Sequence, residues 1–238
     1  GVGDVYKRQA KAKKYTDTKS VKEESGYTSP FCYPLWPCDR VGEYILAKSA
    51  VAGAMIQYMA SDNEDVPNQS PSNHLLGVGG QCLEDGTEVY LDQDQANTVN
   101  GYGVTTAINQ NGYRLWGNYT GAYPASSDAK DIWFAVRRMF SWQGNNFIQT
   151  YFDEVYDPMN NVLVQSVVDS ATIRCSAYAP KYWAGASIEY KSDDNPKTAI
   201  LAGTMKFRQH IAPYTPAQEI VDIIDYDTDT LAAAVGGN

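Results

Sequence analysis

Few residues in this chain are of a type and spacing that could do chemistry. His74 and His210 are its only side chains with an ordinary pKa near neutrality. His74 lies in a Pro- and Asn-rich stretch, and His210 alternates with charged residues in a strand-like pattern. A Ser-His-Asp arrangement would therefore have to be assembled from distant segments with no supporting motif. Asp92 and Asp94 could pair as carboxylates or hold a cation, but aspartate at a helix start commonly caps free backbone N–H groups. The acidic run Asp222, Asp225, Asp227 and Asp229 lacks the glycine and terminal glutamate of a calcium loop. Cys32, Cys38, Cys82 and Cys175 have no short metal-ligand spacing and read as reduced, buried thiols. No glycine-rich phosphate cradle is present. No catalytic, cofactor-binding or metal-ligating set is assigned, no cofactor is expected, and the chain is not expected to be an enzyme.

The elements that would hold such residues are clearest between Leu91 and Thr120. Asp92 caps a short helix through Val99, and Asn100-Gly101 stops it. Val104 to Ile108 is β-prone, Asn111-Gly112 suits positive-φ turn positions, and Tyr113 to Trp116 is the returning strand. Asn, Gln and Thr crowd the turn without a nucleophile, base and acid close together, so the stretch reads as scaffold.

The same residues carry a resemblance. Ala96-Asn97, Asn100, Gly103, Gly112 and above all Trp116-Gly117-Asn118-Tyr119-Thr120 resemble the contractile tail sheath proteins of bacteriophages. Tyr119 departs from that pattern, which commonly has Arg. Ser70-Pro71-Ser72-Asn73 upstream and Val136-Arg137-Arg138 downstream match in the same order, and the resemblance covers roughly Tyr33 to Tyr226. It implies a mixed α/β (α+β) protein, with long helices packed on mixed β-sheets and a C-terminal sheath domain. It implies subunits stacked as hexameric rings around a tail tube protein, joined to a baseplate and a tail terminator. Contraction then releases energy stored at assembly, driving the tube through the host envelope and permitting genome ejection without nucleotide. The implied location is the virion tail, assembled in the host cytoplasm. The sheath of a bacterial contractile injection system shares this subunit logic and stands as the close alternative.

Composition fits these expectations. The chain has 238 residues, enough for a sizeable core, with 28 acidic against 19 basic residues and a net charge of −9. That balance disfavours direct binding to nucleic acid or an anionic membrane, and no stretch is long and apolar enough for a membrane span. Eighteen tyrosines and five tryptophans suit interfaces, since each combines apolar area with a polar handle. A rival from another class follows from Trp116, Tyr119, Tyr123, Trp133, Tyr182 and Trp183, which could line a carbohydrate-binding module if their faces were exposed.

In chain order, Gly1 to Gln9 does not begin with Met and resembles a translated sequencing-adapter artefact. Ala10 to Ser25 reads as a flexible linker. Residues 1–25 are thus set apart, 26–120 are assigned to a main sheath domain truncated at its start, and 121–238 to the C-terminal sheath domain. Phe31 to Cys38 reads as a proline-broken loop and Val41 to Ala60 as a helix. Asp128 to Asp157 reads as a long helix, or two joined by a kink, with a weak point at Gly144-Asn145-Asn146; its apolar side is Trp133, Val136, Phe140, Phe147 and Tyr151, with Arg137 and Arg138 on the polar side as subunit-interface candidates. Asn160 to Tyr178 is a second helix, antiparallel to the first. Asn195-Pro196 starts a short helical turn with Asn195 as its cap. Met205, Phe207 and Ile211 alternate with charged residues as a half-buried strand requires. Glu219 to Tyr226 reads as a strand apolar on both faces, and Ile220, Val221, Ile223 and Ile224 are the candidates for strand addition to a neighbouring subunit. The tail after Ala232 reads as mobile.

Overall fold

A computed structural model describes residues 6–9 and 11–236. In chain order it contains strand β1 (Tyr6–Gln9), a 3₁₀ turn (Tyr15–Asp17) and helix α1 (Thr18–Glu24), then strands β2 (Cys32–Leu35), β3 (Cys38–Val41) and β4 (Tyr44–Ala47). Helix α2 (Lys48–Asp62), strand β5 (Gly80–Cys82), helix α3 (Gln93–Gly101) and strands β6 (Thr106–Asn109) and β7 (Tyr113–Trp116) follow. The remainder is α4 (Ala129–Ile132), α5 (Phe134–Thr150), α6 (Asn161–Ala177), β8 (Trp183–Glu189), α7 (Lys197–Leu201), β9 (Arg208–Pro213) and α8 (Thr228–Ala234). The mixed α/β class holds, as helices on several small sheets: β1 parallel to β2, the antiparallel order β4-β3-β5, and the hairpins β6-β7 and β8-β9.

Three early readings are corrected. Ala10 to Ser25 is not a linker over its described part, because Thr18 and Lys22 of α1 are buried. Tyr6 to Gln9 pairs with β2, while Gly1 to Val5 and Ala10 lie outside the described residues. The Phe31 to Cys38 stretch contains β2, all four of whose residues are buried. Pro34 has no N–H to donate, but its carbonyl accepts from Thr105, and Trp36 N–H returns a bond to Thr105 O. The proline therefore costs the ladder nothing. Thirdly, the first part of the expected 41–60 helix is a hairpin, in which Gly42 at φ +60° turns the chain between β3 and β4. Only from Lys48 does the helical face begin, burying Ala52, Ile56 and Ala60.

One core cluster joins Tyr33 and Leu35 of β2, Ala52 and Ile56 of α2, Ala107 and Leu115 of the β6-β7 hairpin, and Phe134 at the start of α5. A second joins Met139 of α5, Ala171 and Cys175 of α6, and Tyr182, Trp183 and Ile188 around β8. Helix α5 thus carries residues of both. The segment read from Asp128 is two helices, but the break falls at Trp133, whose ψ of 120° is extended, and not at Gly144-Asn145-Asn146, and the second helix ends at Thr150 instead of Asp157. Its deepest residues are Phe134 and Met139, both 0% exposed, whereas Phe140 is half-buried. Asn160 caps α6 through Leu163 N–H as its spacing predicts. Asn195, by contrast, is buried and bonds Lys191 O, Lys206 O and Lys206 N–H, clamping the loop before β9 instead of capping α7. From Met205 to Pro213 burial alternates as read from the sequence. All four cysteines are free and buried.

Lys48, the first residue of α2, is fully buried and ion-paired with the equally buried Asp39 of β3. Burial pushes the Lys48 pKa down and the Asp39 pKa up, and each partner's charge opposes that shift. The pair fixes the first turn of α2 on the central strand of its sheet, but Asp39 Oδ2 has no hydrogen-bond partner. Removing one charge would strand the other in a dry site, so Lys48→Met should lower stability by about 3–5 kcal/mol, and Asp39→Leu with Lys48→Met by far less. Urea unfolding of both variants checks this; equal losses would mean that packing, not charge, dominates there.

Candidate functional site

The two motifs that stand apart in sequence meet in space. Ser70 Oγ donates to Asn118 Oδ1, and Gly117 N–H donates to Ser72 Oγ at 3.1 Å. Asn73 N–H reaches Leu115 O at 2.6 Å, Leu115 N–H reaches His74 O at 3.0 Å, and Arg114 Nη1 donates to Asn73 O at 2.8 Å. The Ser70-Pro71-Ser72-Asn73 segment therefore runs beside β7 and ends at the Trp116 turn. Asn73 at φ +65° makes the bend that permits this. The other side of the turn holds the helices. Phe134 N–H, an unpaired donor at the start of α5, bonds Asn118 O at 2.8 Å, and Thr120 N–H bonds Ile132 O at 2.8 Å. Thr120, fully buried, also donates through Oγ1 to Asp131 O.

Gly117 is required here. At φ +148°, a Cβ on it would sit 2.5 Å from Thr105 Oγ1 and 3.0 Å from Thr105 Cα, while Tyr33 Oη donates to its carbonyl at 2.9 Å. Tyr33 also stacks on Phe134 with centroids 4.0 Å apart. Sequence reasoning missed Tyr33, Thr105 and Lys22, because none lies in a motif. The buried Lys22 ammonium donates to Tyr102 O at 2.9 Å and to Tyr123 O, joining α1 to the loops on both sides of the hairpin. Helix α3 ends at Gly101, at the stop read from Asn100-Gly101, and Gly103 with φ +70° completes the turn where a Cβ would meet Tyr123 O at 2.3 Å.

Asp92 and Gln95 form a capping box on α3, and Asp94 lies in its first turn. His74 Nδ1 lies 3.1 Å from Ser72 O, and His210 pairs with Glu189 on the exposed face of the β8-β9 hairpin. Asp227 caps α8 through Asp229 N–H and Thr230 N–H. Each of these groups is thus placed in a local structural contact. Among the described residues no cluster suited to a metal ion occurs, and no helix is long and apolar enough to cross a membrane.

Arg137 and Arg138 do not face solvent as expected. Arg137 pairs with Asp131 at 3.1 Å and lies 4.0 Å over the Phe31 ring, and Arg138 is buried near Phe134. The guanidinium groups are taken up by their own chain, since helix α5 is covered on more sides than its sequence pattern suggests. Trp183 and Tyr182 are buried, and Tyr119, Tyr123 and Trp133 stack on one another at 3.8 and 4.9 Å, so the aromatics do not form an open platform.

Glu219 to Tyr226, read as a strand, is instead irregular and exposed, with no partner strand among the described residues. Ile220, Val221, Ile223 and Ile224 are 89, 69, 79 and 87% exposed. The tail beyond it forms α8 up to Ala234, and Gly237 and Asn238 lie outside the described residues. Residues 214–219 first pass the Trp116 turn, where they and Ser72, Asn97, Trp116 and Tyr119 line a cleft of about 870 Å³.

This fold and its motifs have counterparts among contractile sheath proteins. No family model matches the chain, but it is 26% identical over 197 residues to the major tail sheath protein of Serratia phage KSP20, covering 79% of this chain and 48% of that protein. Its fold matches a chain of the anti-feeding prophage baseplate with a TM-score of 0.75 at 18% identity, over 93% of this chain and 60% of that one. It matches a chain of the PVC sheath complex, an extracellular contractile injection system in the contracted state, with a TM-score of 0.74 at 18% identity, over 94% and 64%. The chain is thus similar to a portion of a contractile tail sheath protein, as the Ser70 and Trp116 motifs indicate, and spans about half the length of the phage relative.

Replacing Gly117 by Ala should cost about 2–4 kcal/mol through the clash and the positive φ. Gly53→Ala, within α2 and with nothing within 4 Å, should stabilise by about 0.5–1 kcal/mol. Thermal denaturation of the two alanine variants tests the contrast. Burial holds the Lys22 pKa down at about 8. The unfolded chain then binds more protons than the folded one between that value and about 10.4, so Lys22 contributes stability that grows as pH rises through this window. The stability difference between wild type and Lys22→Met should shift in favour of wild type from pH 8 to 10; a flat difference in denaturant titrations would place the pKa at its ordinary value.

Proposed function

We propose that this chain is part of a structural subunit of a phage contractile tail sheath, polymerising around a tail tube and contracting without nucleotide to drive it through the host envelope. The stacked hexameric rings, the baseplate and terminator partners and the role in genome ejection belong to this proposal. The observation that carries it is the exposed apolar segment Glu219 to Tyr226, unpaired within a chain whose small sheets leave backbone edges open. Such a segment matches strand addition to a neighbour's sheet, in which main-chain bonds supply affinity and alternate side chains fill pockets.

Magnitudes agree with a lattice. Burying three isoleucines and one valine gains roughly 6–12 kcal/mol, while ordering eight residues of backbone costs roughly 8–16 kcal/mol. One such joint is therefore close to balanced even with its hydrogen bonds. Many joints in register, each raising the effective concentration of the next, make a stable tube. The sheath of a bacterial contractile injection system is the second reading, favoured by the two solved assemblies that share the fold.

Deleting Asp222 to Asn238 from the complete protein should leave a folded subunit that no longer forms tubes in negative-stain micrographs. Tubes of normal length would assign the connecting role elsewhere, and loss of folding by circular dichroism would make the segment part of the core.

A further inference from the structure

Cys38 and Cys82 stand directly opposite each other in the antiparallel pairing of β3 with β5. Opposed residues in such a ladder share a face, with Cβ atoms about 4.5–5.5 Å apart. A disulfide needs Cβ atoms about 3.5–4.5 Å apart, within reach of a small strand adjustment. Both thiols are free and buried, at 5 and 0% exposure. Cys32 and Cys175 have no cysteine opposite them in the strand register. Access is asymmetric. Cys38 lines a cavity of about 160 Å³ bounded by Lys11, Trp36, Pro37 and Glu84, whereas Cys82 does not line it. The cavity's charges are mixed, with Lys11 paired to Glu84 at 3.3 Å, so it offers no anion preference and suits a small neutral reagent.

We propose that Cys38 and Cys82 form an oxidation site, in which a small hydroperoxide entering this cavity converts the opposed thiols to a cross-strand disulfide. With hydrogen peroxide, the Cys38 thiolate attacks one peroxide oxygen, the O–O bond breaks, and the departing hydroxide takes up a proton as water. The Cys38 sulfenic acid is then attacked by Cys82 sulfur; the S–S bond forms, the S–OH bond breaks, and a second water leaves. Two thiols lose two electrons and two protons, and one peroxide becomes two waters. Burial, with the neighbouring Glu84 and Cys82, holds the Cys38 pKa up at about 11. Little thiolate exists at neutral pH, so the reaction should be slow there and accelerate with pH. The product would tie β5 to β3 and close the loop that contains α2.

The test uses the whole chain, treated with hydrogen peroxide, alkylated under denaturing conditions and mapped without reduction. The expected result is a peptide pair joined through Cys38 and Cys82, with Cys32 and Cys175 alkylated and a melting temperature raised by about 5 °C or more over the reduced chain. Cys38→Ser and Cys82→Ser should each lose the linked peptide and the rise. All four thiols alkylated after treatment, a Cys38 sulfinic acid without a link, or a link to Cys32 or Cys175 would each overturn the proposal. Since the map is read on the wild-type chain, it decides the matter even where a variant fails to fold.

Discussion

The backbone of Gly117 lies against Thr105 closely enough that no side chain fits between them, and the first core cluster reaches it through Tyr33. Its N–H is taken by Ser72, its carbonyl by Tyr33, and the next residue's carbonyl by the first free donor of α5. Loop, strand, hairpin and helix thus share one turn. A buried polar group without a partner costs about 1–3 kcal/mol, so each bond also holds the others in register. This explains why a motif without catalytic residues carries the resemblance to sheath proteins.

The Asp39–Lys48 pair shows the same economy with charge. Two ions are taken out of water at a cost that their attraction only partly offsets, yet together they tie the first residue of α2 to β3. An apolar pair could pack as well, but would specify the hairpin-to-helix register less sharply.

The C-terminal surface of the same chain is left apolar. The segment from Glu219 onward keeps its isoleucines in water, and the β8-β9 hairpin meets solvent with Arg208 and His210. Asp194 pairs with Arg208, and Glu189 with His210, within the chain.

Sequence by itself determined what depends on local geometry. Asp92, Asn111-Gly112 and Asn160 act on backbone groups within four residues of themselves, so cap, turn and second helix were legible, as was the alternation through β9. The motifs at Ser70 and Trp116 were legible as markers, but not as two halves of one contact. Tertiary structure decided the burial of Lys48 and Arg138, the strand at Cys32 to Leu35, the clamp at Asn195 and the absence of an internal partner for Ile220 to Ile224. In each case the deciding group comes from far along the chain: Asp39 for Lys48, Thr105 for Pro34, Lys206 for Asn195. Pattern and propensity weigh a residue against its neighbours in sequence, whereas the free energy of a buried charge or an unpaired edge is set by what folding brings beside it.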